Sequence, residues 1–331
     1  MSSPLSGPAL VLLDHHEATV RPPVFELVTA ARALEVPVHG VWFGDGLEGA
    51  LPALGAAGVE CVYRVGLGDA GSLAGQEHLT PVLAEAITAV AIKHQAALVL
   101  VNSTFENKEI ATRVGAATRS GVVVDAGGLT VEAERVVADK TVFAGTWNTR
   151  CAITTPLAVV ALKANSVQAT DAPVPTTPEV LEVEFAASEL ARSVTLVQRT
   201  ERPTSGRPDL GEAQVVVAGG RGTNGDFSAV EDLADALGAA VGATRVATDE
   251  GWIGNDAQIG QTGVTIAPRL YIGAGISGAV HHRGGMQASG TIVAVNSDPE
   301  SPIFEIADFG VVGDLFTVLP QAAAELRRLK A

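Results

Sequence analysis

Short apolar runs alternate along this chain with stretches that carry apolar residues at helical spacing. "ALVLLD" (9–14) leads into "PPVFELVTAARALE" (22–35), and "PVHGVWFG" (37–44) follows. "PVLAEAITAVAIKHQ" (81–95) precedes "AALVLVN" (96–102), and "ENKEIATRVGAATRSG" (106–121) precedes "VVVD" (122–125). Runs that are apolar at every position, rather than every second one, suit strands covered on both faces. A strand–helix–strand order suits parallel pairing through helical crossovers. The expectation is an α/β fold built on a mostly parallel, doubly wound sheet, with the helix over 106–121 closed by Gly121.

Between 129 and 198 the pattern changes. "LTVEAERVVADKTVFAG" reads as strands joined by a polar turn, and "PLAVVALK", "PEVLEVEFAA" and "SVTLVQR" look like further strands. These are expected to be antiparallel additions to the first domain. Residues 199–211, "RTERPTSGRPDLG", are rich in Pro, Gly and Arg and read as a linker. The 331 residues thus divide into domains at 1–200 and 205–331. The second domain restarts the alternation: a strand at 213–220, a helix over 227–242 ending in Gly242, a strand at 243–248 and a terminal helix in "DLFTVLPQAAAELRRLKA". It too is expected to be a doubly wound parallel sheet.

Charge narrows the partners. The net charge is −15 and the pI about 4.8, whereas duplex nucleic acid and anionic lipid both call for a basic surface. No nucleic-acid partner is expected. No apolar run approaches the length of a span, so no membrane insertion is expected either. The N-terminus lacks a basic leader region and reads as a first strand, which makes the cytoplasm the expected location. Cys61 and Cys151, far apart and in apolar surroundings, are expected to be reduced core residues. His15 and His16 carry no supporting motif and read as a surface loop.

The chemistry concentrates in the second domain. "VVVAGGRG", "LYIGAGISG" and "IADFGVVGD" each place glycines after a strand, the arrangement that lets backbone N–H groups approach phosphates. Gly273, Gly275 and Gly278 spell G-x-G-x-x-G, so an NAD-dependent dehydrogenase is one reading. The next strand ends in Asn296, with Asp298 beyond it, where that fingerprint wants an acidic residue at the strand end. "GATRVATDEGWIGNDAQIGQTG" (242–263) adds Arg245, Gln261 and Thr262 in a polar loop, groups that suit a ring with several acceptors and one donor. A nucleotide-sensing module without redox chemistry is a third reading.

"VVVAGGRG", "GATR", "GWIGNDAQIGQTG", "LYIGAGISGAVHH" and "IVAVNSDPESPIFEIADFGVVGDL" together resemble the alpha subunit of electron transfer flavoprotein, almost unbroken from about 213 to 320. The first domain is similar in length and strand–helix order. The resemblance implies FAD held by the second domain. Arg221 and Thr244 would serve the pyrophosphate and ribityl region, Thr244 standing where the family often has Ser. Arg245 would lie over the flavin ring, lined by Ile259, Gly260, Gln261 and Thr262. Ser277, Gly278, Ala279, Val280 and His281 would follow the phosphates, and the family commonly has Gln where His281 stands. His282 would donate to the flavin C2 carbonyl, and Asn296, Asp314 and Leu315 would hold the adenosine end. The resemblance further implies an electron carrier rather than a stand-alone enzyme, working as a heterodimer with a beta subunit against which the first domain packs. Its electrons would come from flavin dehydrogenases such as acyl-CoA dehydrogenases and pass to a quinone-linked oxidoreductase.

Overall fold

The computed structural model describes residues 5–66, 79–143, 146–198 and 206–330. The chain divides into two compact units, one of Met1–Lys140 and Thr149–Glu201, the other of Thr141–Asn148 and Arg202–Ala331.

The first unit opens with β1 (Ala9–Leu12), a small hairpin of β2 (His15–His16) and β3 (Thr19–Val20), α1 (Pro22–Ala33), β4 (Val38–Phe43), α2 (Leu47–Ala57) and β5 (Cys61–Gly66). It continues through α3 (Thr80–Lys93), β6 (Leu98–Asn102), α4 (Phe105–Thr118), β7 (Gly121–Ala126), β8 (Gly128–Glu132), β9 (Arg135–Val142), β10 (Trp147–Ala152), β11 (Ala158–Leu162), β12 (Glu179–Glu184) and α5 (Glu189–Arg192), the end of β9 and the start of β10 falling within the 141–148 segment of the second unit. Seven strands form one parallel sheet in the order β12-β5-β4-β1-β6-β11-β7. Successive β1 side chains serve opposite faces. Ala9 and Val11 pack with Val24, Leu27 and Leu54 of α1 and α2, while Leu10 and Leu12 pack with Ile87, Ile110 and Val114 of α3 and α4. The sheet is doubly wound, as the uninterrupted apolar runs require.

Several details differ from expectation. β8 and β9 are antiparallel and form a separate three-stranded sheet with β10, but β11 and β12 are parallel members of the main sheet. Every residue of β11 is buried, the mark of a strand enclosed on both faces rather than an added hairpin. "SVTLVQR" forms no strand over the described residues 193–198; Val194, Leu196 and Val197 are exposed there. Gly121 opens β7, and α4 ends instead at Arg119, in the left-handed region at φ 54°. The N-terminus of α4 is capped by Thr104, whose hydroxyl accepts from the Asn107 amide at 3.2 Å. Cys61 is buried, but Cys151 on β10 is only half-buried; both are free thiols. His15 is no loop residue. It stacks on Trp42 with ring centroids 3.6 Å apart, and its Nε2 lies 2.9 Å from the Phe43 carbonyl oxygen.

The second unit contains β13 (Val215–Gly219), α6 (Ser228–Leu237), β14 (Ala240–Ala243), α7 (Arg245–Asp249), β15 (Leu270–Ala274), α8 (Val280–Met286), β16 (Thr291–Asn296), β17 (Phe309–Val312) and α9 (Leu315–Lys330). Its parallel sheet runs β14-β13-β15-β16-β17. The helix expected to reach Gly242 stops at Gly238, which takes φ 68°. The expected strand at 243–248 therefore shifts to Ala240–Ala243, and Arg245 begins a helix. Of the expected linker, residues 199–205 lie outside the described residues. In the remainder, Arg207 is tied to Asp235 of α6 at 2.8 Å.

Candidate functional site

All five strands of the second sheet end at one cavity of about 580 Å³. Arg221 follows β13, Thr244 follows β14, Ser277 follows β15, Asn296 closes β16 and Asp314 follows β17. This is the carboxyl edge of an open parallel sheet, where such folds take their ligands. The floor depends on close backbone contact. Gly275 has φ 63°, and a Cβ there would lie 2.8 Å from the Cα of Gly222. The Gly222 amide donates to the Gly275 carbonyl at 3.0 Å, locking the two turns together. No side chain fits between them.

Of the sixteen residues expected at the site, all line this cavity except Gln261, Gly278 and Val280. Val280 opens α8 with its side chain 62 % exposed. Gly278 has φ 83° and backs onto Ile303. Gln261 turns its side-chain oxygen to His281 Nδ1 at 2.9 Å, and its amide donates to the His281 carbonyl at 3.0 Å. Gln261 thus fastens the loop after Ile259 to α8 rather than lining the wall.

Each wall residue is held by its own local chemistry. Thr244 precedes α7, and its amide donates to the Gly219 carbonyl at 3.0 Å. Its Oγ1 is buried on the cavity wall without a hydrogen-bond partner. A buried hydroxyl in that state is costly unless a ligand satisfies it. Arg245 is exposed and paired with Asp249 one helical turn on, Nε to Oδ2 at 3.1 Å. The Thr262 hydroxyl accepts from Gln258 Nε2 at 2.9 Å, and Gln258 Oε1 accepts from Thr248 at 2.9 Å. Thr262 keeps its own proton to donate elsewhere. Asn296 spends its Nδ2 protons on the Ile276 carbonyl and the Ser301 hydroxyl, at 2.9 and 3.0 Å, so it shapes the wall by bracing the loop. Asp314 caps α9, accepting from the Phe316 amide at 3.0 Å.

His282 is buried, and both ring nitrogens face protein atoms. Nε2 lies 2.7 Å from the Tyr271 hydroxyl and Nδ1 lies 3.2 Å from the Ile259 carbonyl oxygen. Burial pushes its pKa down to about 4. His282 nonetheless lines the cavity. Tyr271 and Gln258, neither of which lines the cavity, escaped the sequence reading; each acts through another side chain. Asn224, Asp298 and Ser301 also line the cavity.

A glycine-floored cavity at the carboxyl edge of a parallel sheet, with arginines at its wall and an unsatisfied buried hydroxyl inside, defines a nucleotide-cofactor-binding α/β protein. Residues 209–287 match the family described as the electron transfer flavoprotein FAD-binding domain, and residues 9–188 match the electron transfer flavoprotein domain. The chain is 43 % identical to the electron transfer flavoprotein subunit alpha of Mycobacterium leprae over 97 % of its own length and 99 % of that protein's. It is 37 % identical to the Pseudomonas aeruginosa subunit, covering 94 % and 97 %. It is 35 % identical to the Syntrophomonas wolfei subunit, covering 96 % and 98 %. The chain belongs to the electron transfer flavoprotein alpha-subunit family, and FAD is the cofactor of its second unit. The NAD reading finds no support in these matches. Among the described residues, no helix is long and apolar enough to cross a membrane.

Proposed function

We propose that this chain is the FAD-bearing half of a two-subunit carrier that accepts electrons from flavin dehydrogenases, acyl-CoA dehydrogenases among them, and delivers them to a quinone-linked oxidoreductase. Its own residues transform no organic substrate, and its partner is a beta subunit packed against the first domain, 1–200, while 205–331 holds the cofactor. The cytoplasm is its working compartment. The single observation that carries this reading is the wall that gathers Thr244, Arg245, Ile259, Thr262 and His282 around one cavity.

When bound, FAD supplies one- and two-electron chemistry that no side chain here can supply. The protein's part is binding and tuning. Arg221 and the unsatisfied Thr244 hydroxyl would hold the phosphate and ribityl portions. Arg245 would stack its planar cation on the ring and raise the local potential. Thr262, held by Gln258, would donate its remaining proton to the ring edge. Ser277, Ala279 and His281 would follow the phosphates, and Asn296, Asp314 and Leu315 would hold the adenosine end.

Co-expression with a beta subunit, followed by counting flavin and mixing with an acyl-CoA dehydrogenase and its substrate, tests the proposal. One FAD in this chain, bleached on mixing and recoloured by a quinone-linked acceptor, is expected. A colourless protein that takes up NADH would overturn it.

A further inference from the structure

Three of the chain's five lysines meet at one place in the first unit. Lys108 on α4 reaches Asp125 of β7, Nζ to Oδ1 at 2.6 Å. Lys140 on β9 donates to the Val124 carbonyl, one residue earlier on β7, at 2.8 Å. Lys163 directly follows β11, and its backbone amide donates to the Ala126 carbonyl, one residue later on β7, at 2.9 Å. Its side chain faces Asp125, Lys140 and Lys108. The meeting point is the carboxyl edge of the first sheet, where the neighbouring parallel strands β6, β11 and β7 all end. Open α/β sheets take their ligands at that edge.

The charges there do not balance. Asp125 is the carboxylate that faces the three lysines, and it is already engaged. Lys108 is paired with it, and the Ser103 hydroxyl donates to the same Oδ1 at 2.8 Å. Lys140 spends a proton on an uncharged carbonyl. The Lys163 ammonium makes no hydrogen bond or ion pair among the described residues. Three ammonium groups against one carboxylate leave two positive charges unmatched, in a chain whose net charge is −15. A half-buried ammonium without a partner is costly. Burial pushes the Lys163 pKa down, Asp125 opposes that shift, and Lys140 and Lys108 add to it.

We propose that this edge is a second ligand site, binding the phosphate monoester group of a small molecule through Lys108, Lys140 and Lys163. Such a group carries about −1.5 to −2 charges at pH 7 and three strong acceptor oxygens. It matches both the two surplus positive charges and the three ammonium groups, whereas a carboxylate brings only a single charge. Lys108 and Asp125 are partly exposed, so the cluster is open to solvent. The site is built from first-unit residues alone and does not rest on the flavin reading.

The test is competitive amine labelling of the full-length chain in complex with its partner. Limiting acetic anhydride is added in inorganic phosphate or in chloride of equal ionic strength, and each lysine is quantified by peptide mass spectrometry. Lys93 and Lys330 serve as internal references, because reagent consumed by phosphate slows all five lysines alike. At about ten times its dissociation constant, phosphate should slow the labelling of Lys163 about tenfold relative to these references, with Lys108 and Lys140 slowed as well. Unchanged relative labelling at every phosphate concentration overturns the proposal. So does a Lys163 that stays unlabelled in chloride, because an amine closed to the anhydride is closed to phosphate. Lys140→Met should weaken the protection of Lys163 and Lys140→Arg should keep it; full protection in Lys140→Met overturns the three-lysine site. The wild-type labelling decides alone should the Met variant fail to fold. Flavin absorbance of the same samples is scored separately. A colourless complex with a protected Lys163 would sink the flavin reading and leave this one standing.

Discussion

Acid should loosen the second unit through His282. In the folded protein burial holds this ring near a pKa of about 4, against an ordinary 6.5 in the unfolded chain. A depressed histidine contributes its full stability above the unfolded value, and that contribution is lost as the pH falls from 6.5 toward 4. At pH 5 the unfolded chain binds nearly one proton at this site and the folded chain almost none, so acidification from pH 7 to 5 costs about 2 kcal/mol through this group. His39 and His94 in the first unit are also pushed down by burial, so the wild-type pH dependence alone cannot isolate His282. His282→Gln removes only its own share. Urea unfolding followed by Trp252, with Trp42 and Trp147 replaced by Phe, reads the second unit at both pH values. Wild type should lose about 2 kcal/mol more than the Gln variant on going from pH 7 to 5. Equal losses would refute the reasoning.

Thr244→Val keeps the shape of a side chain whose hydroxyl is buried and unpartnered, so it should leave the cofactor-free protein as stable or stabilise it by about 1 kcal/mol, while weakening FAD about tenfold; denaturant melts and flavin dialysis measure the two effects. Arg245→Lys should lower the flavin midpoint potential less than Arg245→Ala does, because lysine keeps the charge but loses the planar contact; anaerobic redox titration decides, and equal drops would mean that charge is irrelevant there. Gly275→Ala places a Cβ at φ 63° against Gly222 and should cost about 1–3 kcal/mol or more and empty the site, visible as a lowered Tm and lost flavin absorbance. Thr104→Ala removes the cap of α4 and should cost about 1 kcal/mol without touching flavin content.

The doubly wound sheets were legible because strands such as "AALVLVN" and "VVVAGG" are apolar at every position, and only burial on both faces accounts for that. β5, inside "VECVYRV", and α2, which carries Gly49, Pro52 and Gly55, were missed. Poor local propensity hid α2, whereas the burial of Leu47, Ala50 and Leu54 determines it. β11 was seen as a strand but given the wrong direction, since strand direction depends on partners far away in sequence. The boundary at 238–243 slipped because Gly238 and Gly242 are equally plausible helix stops by sequence; the contact of Gly242 with Ile259 decides between them. At the site, motif glycines and charged loop residues stood out. Tyr271 and Gln258 did not, because a residue that acts through another leaves no pattern of its own.

The insertion of β11 between β6 and β7 has a consequence for how the first unit is made. β6 and β7 are joined by a single helix and emerge from the ribosome within about two dozen residues of each other, which is a few seconds of synthesis at ordinary rates. They cannot pair with each other in the native sheet, because the slot between them is reserved for Ala158–Leu162. The chain must first complete the β8–β10 excursion and then insert a wholly apolar strand between β6 and the edge strand β7. Until residue 162 is out, both slot edges present bare backbone donors and acceptors beside Val99, Val101, Val122 and Val124. A nascent chain stalled or cut before that point is a sheet with a gap one strand in from its edge, suited to capture the same segment from a neighbouring copy.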